Sequence, residues 1–194
     1  INETKQIAEI RTKSKNVAVY IGRLDQKKNV DTLIDACILL AQKGFDFHLF
    51  VVGEGPKIVD LSEKVKKNNI SKKVSFLGYR SDTYNILSSS DIAVFPTLLE
   101  TFGLFAIECF ATRVPIIISD IDPLNKLVKD DWNGYTANPL DPEIWAMKMI
   151  ELFQNKMKRK QFTKNSYTMY KKHYSAEVMA EKYCRVYKSV LNEH

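Results

Sequence analysis

Three short segments carry residues whose types and spacing suit a phosphorylated ligand. In Tyr20-Ile21-Gly22-Arg23-Leu24-Asp25-Gln26-Lys27-Lys28-Asn29, Gly22 is followed by Arg23 and Lys28 within one loop. An arginine fork can chelate two phosphate oxygens, and a lysine adds a compact point charge, so the pair suits a diphosphate. Solvated loop cations would look the same. The segment has neither the Gly-Lys-Ser/Thr of a P-loop nor a G-x-G-x-x-G fingerprint. In Gly53-Glu54-Gly55-Pro56, two glycines permit close backbone approach and Pro56 is placed to open a helix. A tight turn between strand and helix would need the same residues.

The third segment runs from Phe95 through Glu100, Thr101, Phe102, Gly103 and Leu104 to Glu108. Gly103 is expected to begin a helix where the backbone passes close to something, and the free N–H groups there form an anion site. Glu108 is the one charge among Ile107, Cys109, Phe110 and Ala111. So apolar a helix is expected to be buried, and a buried carboxylate needs a partner. Glu108 lies five residues past Gly103, hence roughly 7–8 Å along the axis, which is about the span from a diphosphate to its ribose. A structural carboxylate paired with a lysine or a backbone N–H is the competing reading.

Regular alternation supplies the elements that would position these loops. Apolar, β-branched runs at Val17–Ile21, His48–Val52, Val74–Leu77, Ile92–Phe95, Ile116–Ile118 and, more weakly, Gly134–Ala137 have strand length. Helical stretches lie between them at Val30–Gln42, Pro56–Asn68, Thr83–Ser89, Leu104–Thr112 and Leu124–Lys129. Repeated βα units predict an α/β fold, a doubly wound parallel sheet of about six strands with helices on both faces. Asp141 and Pro142 are placed as cap and first residue of a further helix, and the chain from Gln161 onward reads as helical. In such sheets ligands bind beyond the carboxyl ends of the strands, which is where the three segments fall.

At 194 residues the chain fits a single domain. No run of 18 apolar residues exists to span a membrane, and Ile1–Arg11 lacks the apolar stretch of a signal peptide. Because residue 1 is Ile, the chain reads as either a fragment or a trimmed form. Cys37, Cys109 and Cys184 form no C-x-x-C pair and read as reduced thiols, core or half-buried, suited to a reducing cytoplasm. The net charge of +6 concentrates its lysine excess at Lys64–Lys73 and Lys156–Lys172. Such a surface attracts nucleotides, nucleic acid or anionic lipid, or is simply solvated.

Taken together, these residues resemble the C-terminal domain of GT-B glycosyltransferases, in particular the large retaining family four, the group 1 glycosyl transferases. The likeness rests on Gly22-Arg23-Leu24 with Lys28, on Gly53-Glu54-Gly55-Pro56, and on Glu100-Thr101-Phe102-Gly103-Leu104 with Glu108, which is similar to the family's Glu-x7-Glu signature. Phe76-Leu77-Gly78-Tyr79, Ser90-Asp91-Ile92-Ala93-Val94-Phe95-Pro96 and Asp131-Trp132-Asn133-Gly134-Tyr135 also look like its connecting segments. The similarity extends from about Val17 to the C-terminus.

That resemblance implies a Rossmann-like C-terminal half of a GT-B fold over residues 1–194. Its donor would be a UDP-sugar or GDP-sugar, and it would need no cofactor and no metal. Gly22, Arg23, Lys28, Gly53, Phe102, Gly103, Leu104 and Glu108 would bind the donor. Glu100, Arg23 and Lys28 would carry catalysis, with Glu100 facing the donor sugar and Glu108 holding the ribose. Asp120-Ile121-Asp122 has the spacing of a metal-binding acid pair but no third ligand. The implied product is a glycan or glycoconjugate, made on a glycan or lipid-linked acceptor. Implied partners are the chain's own N-terminal domain or a partner subunit, with no nucleic acid. The implied setting is the cytoplasm, with the inner face of the plasma membrane as a peripheral station.

The final helix, about 175–192, would turn its stripe of Val178, Tyr183, Val186, Tyr187 and Val190 toward that N-terminal domain. Arg113 stands where the family often has Gly, so the turn there is expected to differ; Asp122-Pro123 and Lys126 also depart from the pattern and leave the donor sugar open. Two rival readings are a non-catalytic nucleotide-sugar-binding subunit of a split enzyme and half of a nucleotide-sugar 2-epimerase. The second is disfavoured because His48, His173 and His194 fall outside the candidate loops.

Overall fold

The computed structural model describes residues 12 and 14–192; His194 and the segment Ile1–Arg11 lie outside them. Six strands form one parallel sheet in the order β3-β2-β1-β4-β5-β6. They are β1 Val17–Ile21, β2 His48–Val52, β3 Val74–Gly78, β4 Ile92–Phe95, β5 Ile116–Ser119 and β6 Tyr135–Ala137. The helices are α1 Val30–Gln42, α2 Ile58–Lys67, α3 Thr83–Ser88, α4 Leu104–Thr112, α5 Leu124–Leu127, α6 Pro142–Gln154, α7 Lys156–His173 and α8 Ala176–Asn192. The architecture is therefore the expected doubly wound, Rossmann-like α/β sheet.

Near-continuous apolar runs make the central strands, because helices cover both faces and leave no solvated side. All residues of β2, β4 and β5 are buried. α1 packs on α6, and α4 packs on α7. Trp145 of α6 is fully buried, and its indole N–H donates to the Asn138 carbonyl at 3.0 Å. Asp141 caps α6 by accepting from the Glu143 and Ile144 amides, with Pro142 in the first turn, as expected from the sequence.

Several elements differ from the sequence expectation. Pro56 does not open α2; it lies in a turn, and the helix starts at Ile58. The C-terminal helical stretch starts earlier than Gln161, at Lys156, because Asn155 accepts from the Lys158 amide and caps it. The final helix is separate, as expected: the chain breaks at Tyr174–Ser175, where both amides turn back to the Tyr170 carbonyl. Cys184 is exposed rather than half-buried, while Cys37 and Cys109 are buried.

The turn after α4 keeps its left-handed residue without glycine. Arg113 has φ 57, and its amide reaches the Cys109 and Phe110 carbonyls. Its guanidinium lies over the Tyr167 ring of α7 at 3.9 Å, a cation–π contact that offsets the backbone cost of about 1 kcal/mol. The expected change of turn therefore does not occur.

Candidate functional site

Chain order reverses between β1 and β4, which are adjacent in the sheet. A crevice forms at such a switch point, beyond the strands' carboxyl ends. Its walls are the loop after β1, with Arg23 and Lys28, and the loop after β4, with Glu100. The two loops are joined directly. The Leu98 amide donates to the Lys27 carbonyl at 2.7 Å, and Thr97 Oγ1 donates to the same carbonyl at 3.1 Å. Tyr20, fully buried, donates its hydroxyl to the Arg23 carbonyl at 2.8 Å, and its ring stacks on Phe95. Burial, reinforced by the charge of Asp25, pushes the Tyr20 phenol well above its usual range, so it remains a donor.

The loop after β2 supports the loop after β1 from the other side. The Gly22 amide donates to the Val52 carbonyl and the Leu24 amide to the Glu54 carbonyl, both at 2.9 Å, so strand-like pairing continues past the ends of β1 and β2. Gly53 has φ 129, and a Cβ there would sit 2.0 Å from the Gly22 carbonyl oxygen. Glycine is required by this backbone contact. Gly53 also borders the pocket described below.

Lys28 and Glu100 meet across the crevice, with Nζ donating to Oε2 at 2.9 Å. The Thr101 amide donates to the other carboxylate oxygen at 3.0 Å. Burial alone would raise the Glu100 pKa. The Lys28 hydrogen bond and charge, with the Thr101 and Phe102 amides, outweigh burial and hold the carboxyl below its ordinary value of 4.5. Glu100 thus occupies the Lys28 ammonium, a group that the resemblance assigns to the donor. Arg23 is more open, with a 71% exposed side chain and a contact to Asp25 at 3.3 Å.

α4 begins at Leu104, with Gly103 at φ 92 as its cap residue and no side chain capping it. A Cβ on Gly103 would come within 2.7 Å of Leu124 and 2.8 Å of Leu127. The close approach expected at Gly103 is to α5, and α4 starts directly after the loop that carries Glu100.

Glu108 corrects the sequence expectation. It is exposed, because α4 buries Phe105, Ala106, Cys109 and Phe110 while Leu104 and Glu108, one turn apart, share an open stripe. Its carboxylate has no hydrogen-bonding or ion-pairing partner among the described residues. Partial desolvation raises its pKa above the ordinary value. It borders a cavity of about 200 Å³ with Thr83, Tyr84 and Thr112.

A larger pocket of about 340 Å³ adjoins Arg23 at the ends of β1, β2 and β3, and Thr83 borders both cavities. Gly22, Gly53, Tyr79 and Arg80 line it. Arg80 is buried and forms a two-pronged pair with Asp82, at 2.8 Å to each oxygen. Tyr79 is 75% exposed. Tyr79, Arg80 and Thr83 are not among the site residues that the sequence predicts. The available signal was an Arg-x-Asp placed immediately after a strand end.

The acid pair after β5 is engaged elsewhere: Asp122 pairs with Lys126 at 2.7 Å, and Asp120 accepts from Asn125. Asn133 is fully buried and fastens the turn before β6, accepting from the Lys129 amide and donating to the Leu127 carbonyl.

Comparison with known proteins agrees with this architecture. Residues 2–169 match the family model of glycosyl transferases group 1. A GDP-mannose-dependent alpha-(1-6)-phosphatidylinositol dimannoside mannosyltransferase of Mycobacterium tuberculosis is 32% identical over 142 residues, covering 72% of this chain and 36% of that protein. The solved C-terminal domain of a glycosyl transferase group 1 family protein from Francisella tularensis is 26% identical, with TM-score 0.78, covering 90% of this chain and 94% of that one. HepE of Anabaena, solved with UDP and glucose, has TM-score 0.85 at 18% identity, covering 95% of this chain and 52% of that one. The chain spans less than half the length of the Mycobacterium relative and about half that of HepE. With its fold and the extent of these matches, the chain belongs to the group 1 glycosyltransferases, as a domain of the C-terminal GT-B type.

Proposed function

We propose that this domain binds a nucleoside-diphosphate sugar for retaining, metal-independent transfer to a glycan or lipid-linked acceptor. The observation that carries this reading is the convergence of Arg23, Lys28, Glu100 and the α4 N-terminus on one crevice at the switch point. The diphosphate would displace Glu100 from Lys28 and take Arg23, Lys28 and the α4 amides as its donors. Charge grows on the diphosphate as the sugar leaves, and cations with a helix N-terminus stabilise it there. Glu100, freed from Lys28, would accept from hydroxyls of the donor sugar. The base would lie in the pocket beside Tyr79 and Arg80, and the ribose near Glu108. A relative named for GDP-mannose and a neighbour holding UDP both support a nucleoside diphosphate, with uracil and guanine equally open.

Nucleotide binding tests the reading first. With a dissociation constant on the order of 0.1–1 mM for an isolated donor domain, about 10 mM UDP or GDP should raise the melting temperature by roughly 3 °C or more. EDTA should leave the shift unchanged. Equal, null responses to both nucleotides defeat the proposal. Sugar transfer should require the chain joined to its upstream domain, because alignment and water exclusion need a second wall. Efficient transfer by the 194-residue chain alone would defeat that part.

Glu108→Gln separates the ribose role from a structural one. Without a partner, and with desolvation raising its pKa, Glu108 adds no stability at neutral pH. A raised folded-state pKa favours folding at low pH, and that contribution is lost as pH rises through the folded value. Chemical unfolding at pH 7 should therefore be unchanged or slightly strengthened by the substitution. Calorimetry should find nucleotide affinity weaker by about 1–3 kcal/mol. Lost stability with unchanged affinity would exclude the ribose role.

A further inference from the structure

At the far side of the molecule, a basic face carries two exposed apolar side chains. It is built by the N-terminal half of α7 and the turn before β6. α7 holds seven cations in 18 residues, Lys156, Lys158, Arg159, Lys160, Lys164, Lys171 and Lys172, and no Asp or Glu. Lys156 and Lys160, and then Lys160 and Lys164, are four residues apart on one helix face, where like charges repel. The first of them also stand near the positive end of the helix dipole. Neither Lys160 nor Lys164 has an ion-pair partner among the described residues. A helix arranged this way is relieved by an anionic surface.

Beside these lysines, Met157 is 73% exposed and Trp132 is 46% exposed. Both border a groove of about 580 Å³ with Lys160 and Lys164. The Trp132 turn is fixed rather than loose: Asn165 donates to the Trp132 carbonyl at 2.7 Å, and Asp131 pairs with Lys158. Trp132 precedes β6 and so lies at the amino ends of the strands, opposite the donor crevice.

We propose that this face docks on an anionic lipid bilayer, with Trp132 and Met157 entering the interface and the α7 lysines facing the headgroups. The amphipathic indole ring belongs at the headgroup level, and clustered lysines are drawn to anionic leaflets. Composition favours lipid over nucleic acid. Six of the seven cations are lysines, point charges suited to a diffuse surface. The one fork-shaped cation, Arg159, is turned inward to the Leu152 and Phe153 carbonyls. Docking here leaves the donor crevice open, and the inference stands independently of the donor reading.

The chain has two tryptophans, and the other, Trp145, is fully buried. Emission changes on binding therefore report Trp132. Vesicles of phosphatidylcholine, with or without about 30% phosphatidylglycerol, are mixed with the full chain and assayed by sedimentation and fluorescence. The expected result is binding to the anionic vesicles only, reversed by salt, with a blue shift that Trp132→Phe abolishes. Lys160→Glu with Lys164→Glu should lower partitioning by about tenfold or more, with an unchanged melting temperature. The Lys→Gln pair should give a smaller loss. Absence of binding, equal binding to neutral vesicles, or binding without a Trp132 shift overturns the proposal. So does a Trp132 shift produced by a single-stranded oligonucleotide while vesicles produce none.

Discussion

Gly53→Ala is expected to destabilise the domain by about 3 kcal/mol or more, through backbone strain added to a main-chain clash. Most glycine substitutions can be absorbed by a neighbouring side chain. This one cannot, because the new Cβ would lie 2.0 Å from the Gly22 carbonyl oxygen, at a φ of 129 that L-residues rarely adopt. Relief requires moving the loop after β1, which carries Arg23 and Lys28. The nucleotide-dependent melting shift should therefore vanish even under conditions where the variant remains folded. Gly44→Ala is the matched control: it shares a positive φ of 68 but has nothing within 4 Å, and should cost only about 1 kcal/mol. Chemical unfolding curves of the two variants give the comparison. Equal losses would show that backbone conformation, and not the loop contact, determines the cost.

On the proposed donor reading, Lys28→Ala should reduce sugar transfer by at least about 100-fold in a form joined to an N-terminal GT-B domain, as expected when a principal donor to the leaving group is removed. In the isolated chain it should abolish the nucleotide-dependent melting shift. The same variant has a second signature in stability. Wild-type Glu100 has a folded-state pKa held below 4.5 against the effect of burial, chiefly by the Lys28 hydrogen bond. A depressed carboxyl pKa contributes stability above the unfolded value, and that contribution is lost as pH falls through the folded value. Removing Lys28 should thus cost about 1–2 kcal/mol at pH 7, and the two proteins should converge as pH falls through the folded Glu100 value. Parallel unfolding curves at pH 7 and at successively more acid pH measure this. A stability difference that persists undiminished in acid would point to the lost cation–π contact between the Lys28 ammonium and the Phe95 ring.

Strand positions were legible because burial on both faces demands runs such as Val17–Ile21 and His48–Val52, which no amphipathic surface helix carries. The candidate site was legible where glycine and charge interrupt those runs, at Gly22, Arg23 and Gly103. Glu108 was misread for a physical reason. In a helix as short as Leu104–Thr112, apolar composition does not imply burial all round, and Leu104 is itself 66% exposed. The start of the final helix at about 175 was legible although neither Tyr174 nor Ser175 is a Pro or Gly; Ser175 is buried, and its hydroxyl accepts from the Val178 amide. The Arg80–Asp82 pair was hidden for another reason. A two-residue separation has no helical or strand periodicity to mark it, and only the turn after β3 aligns the two side chains.

The charges at the crevice cancel before any ligand arrives. Lys28 is matched by Glu100, and Arg23 by Asp25. Despite the overall charge of +6, an approaching dianion meets a locally neutral mouth, with the excess positive potential displaced toward α7. On the proposed reading, capture of a nucleotide would therefore be governed by ordinary diffusion and by short-range exchange of partners, and not by long-range attraction. Its association rate should respond only weakly to ionic strength, while the basic face on the opposite side carries most of the salt sensitivity of the molecule.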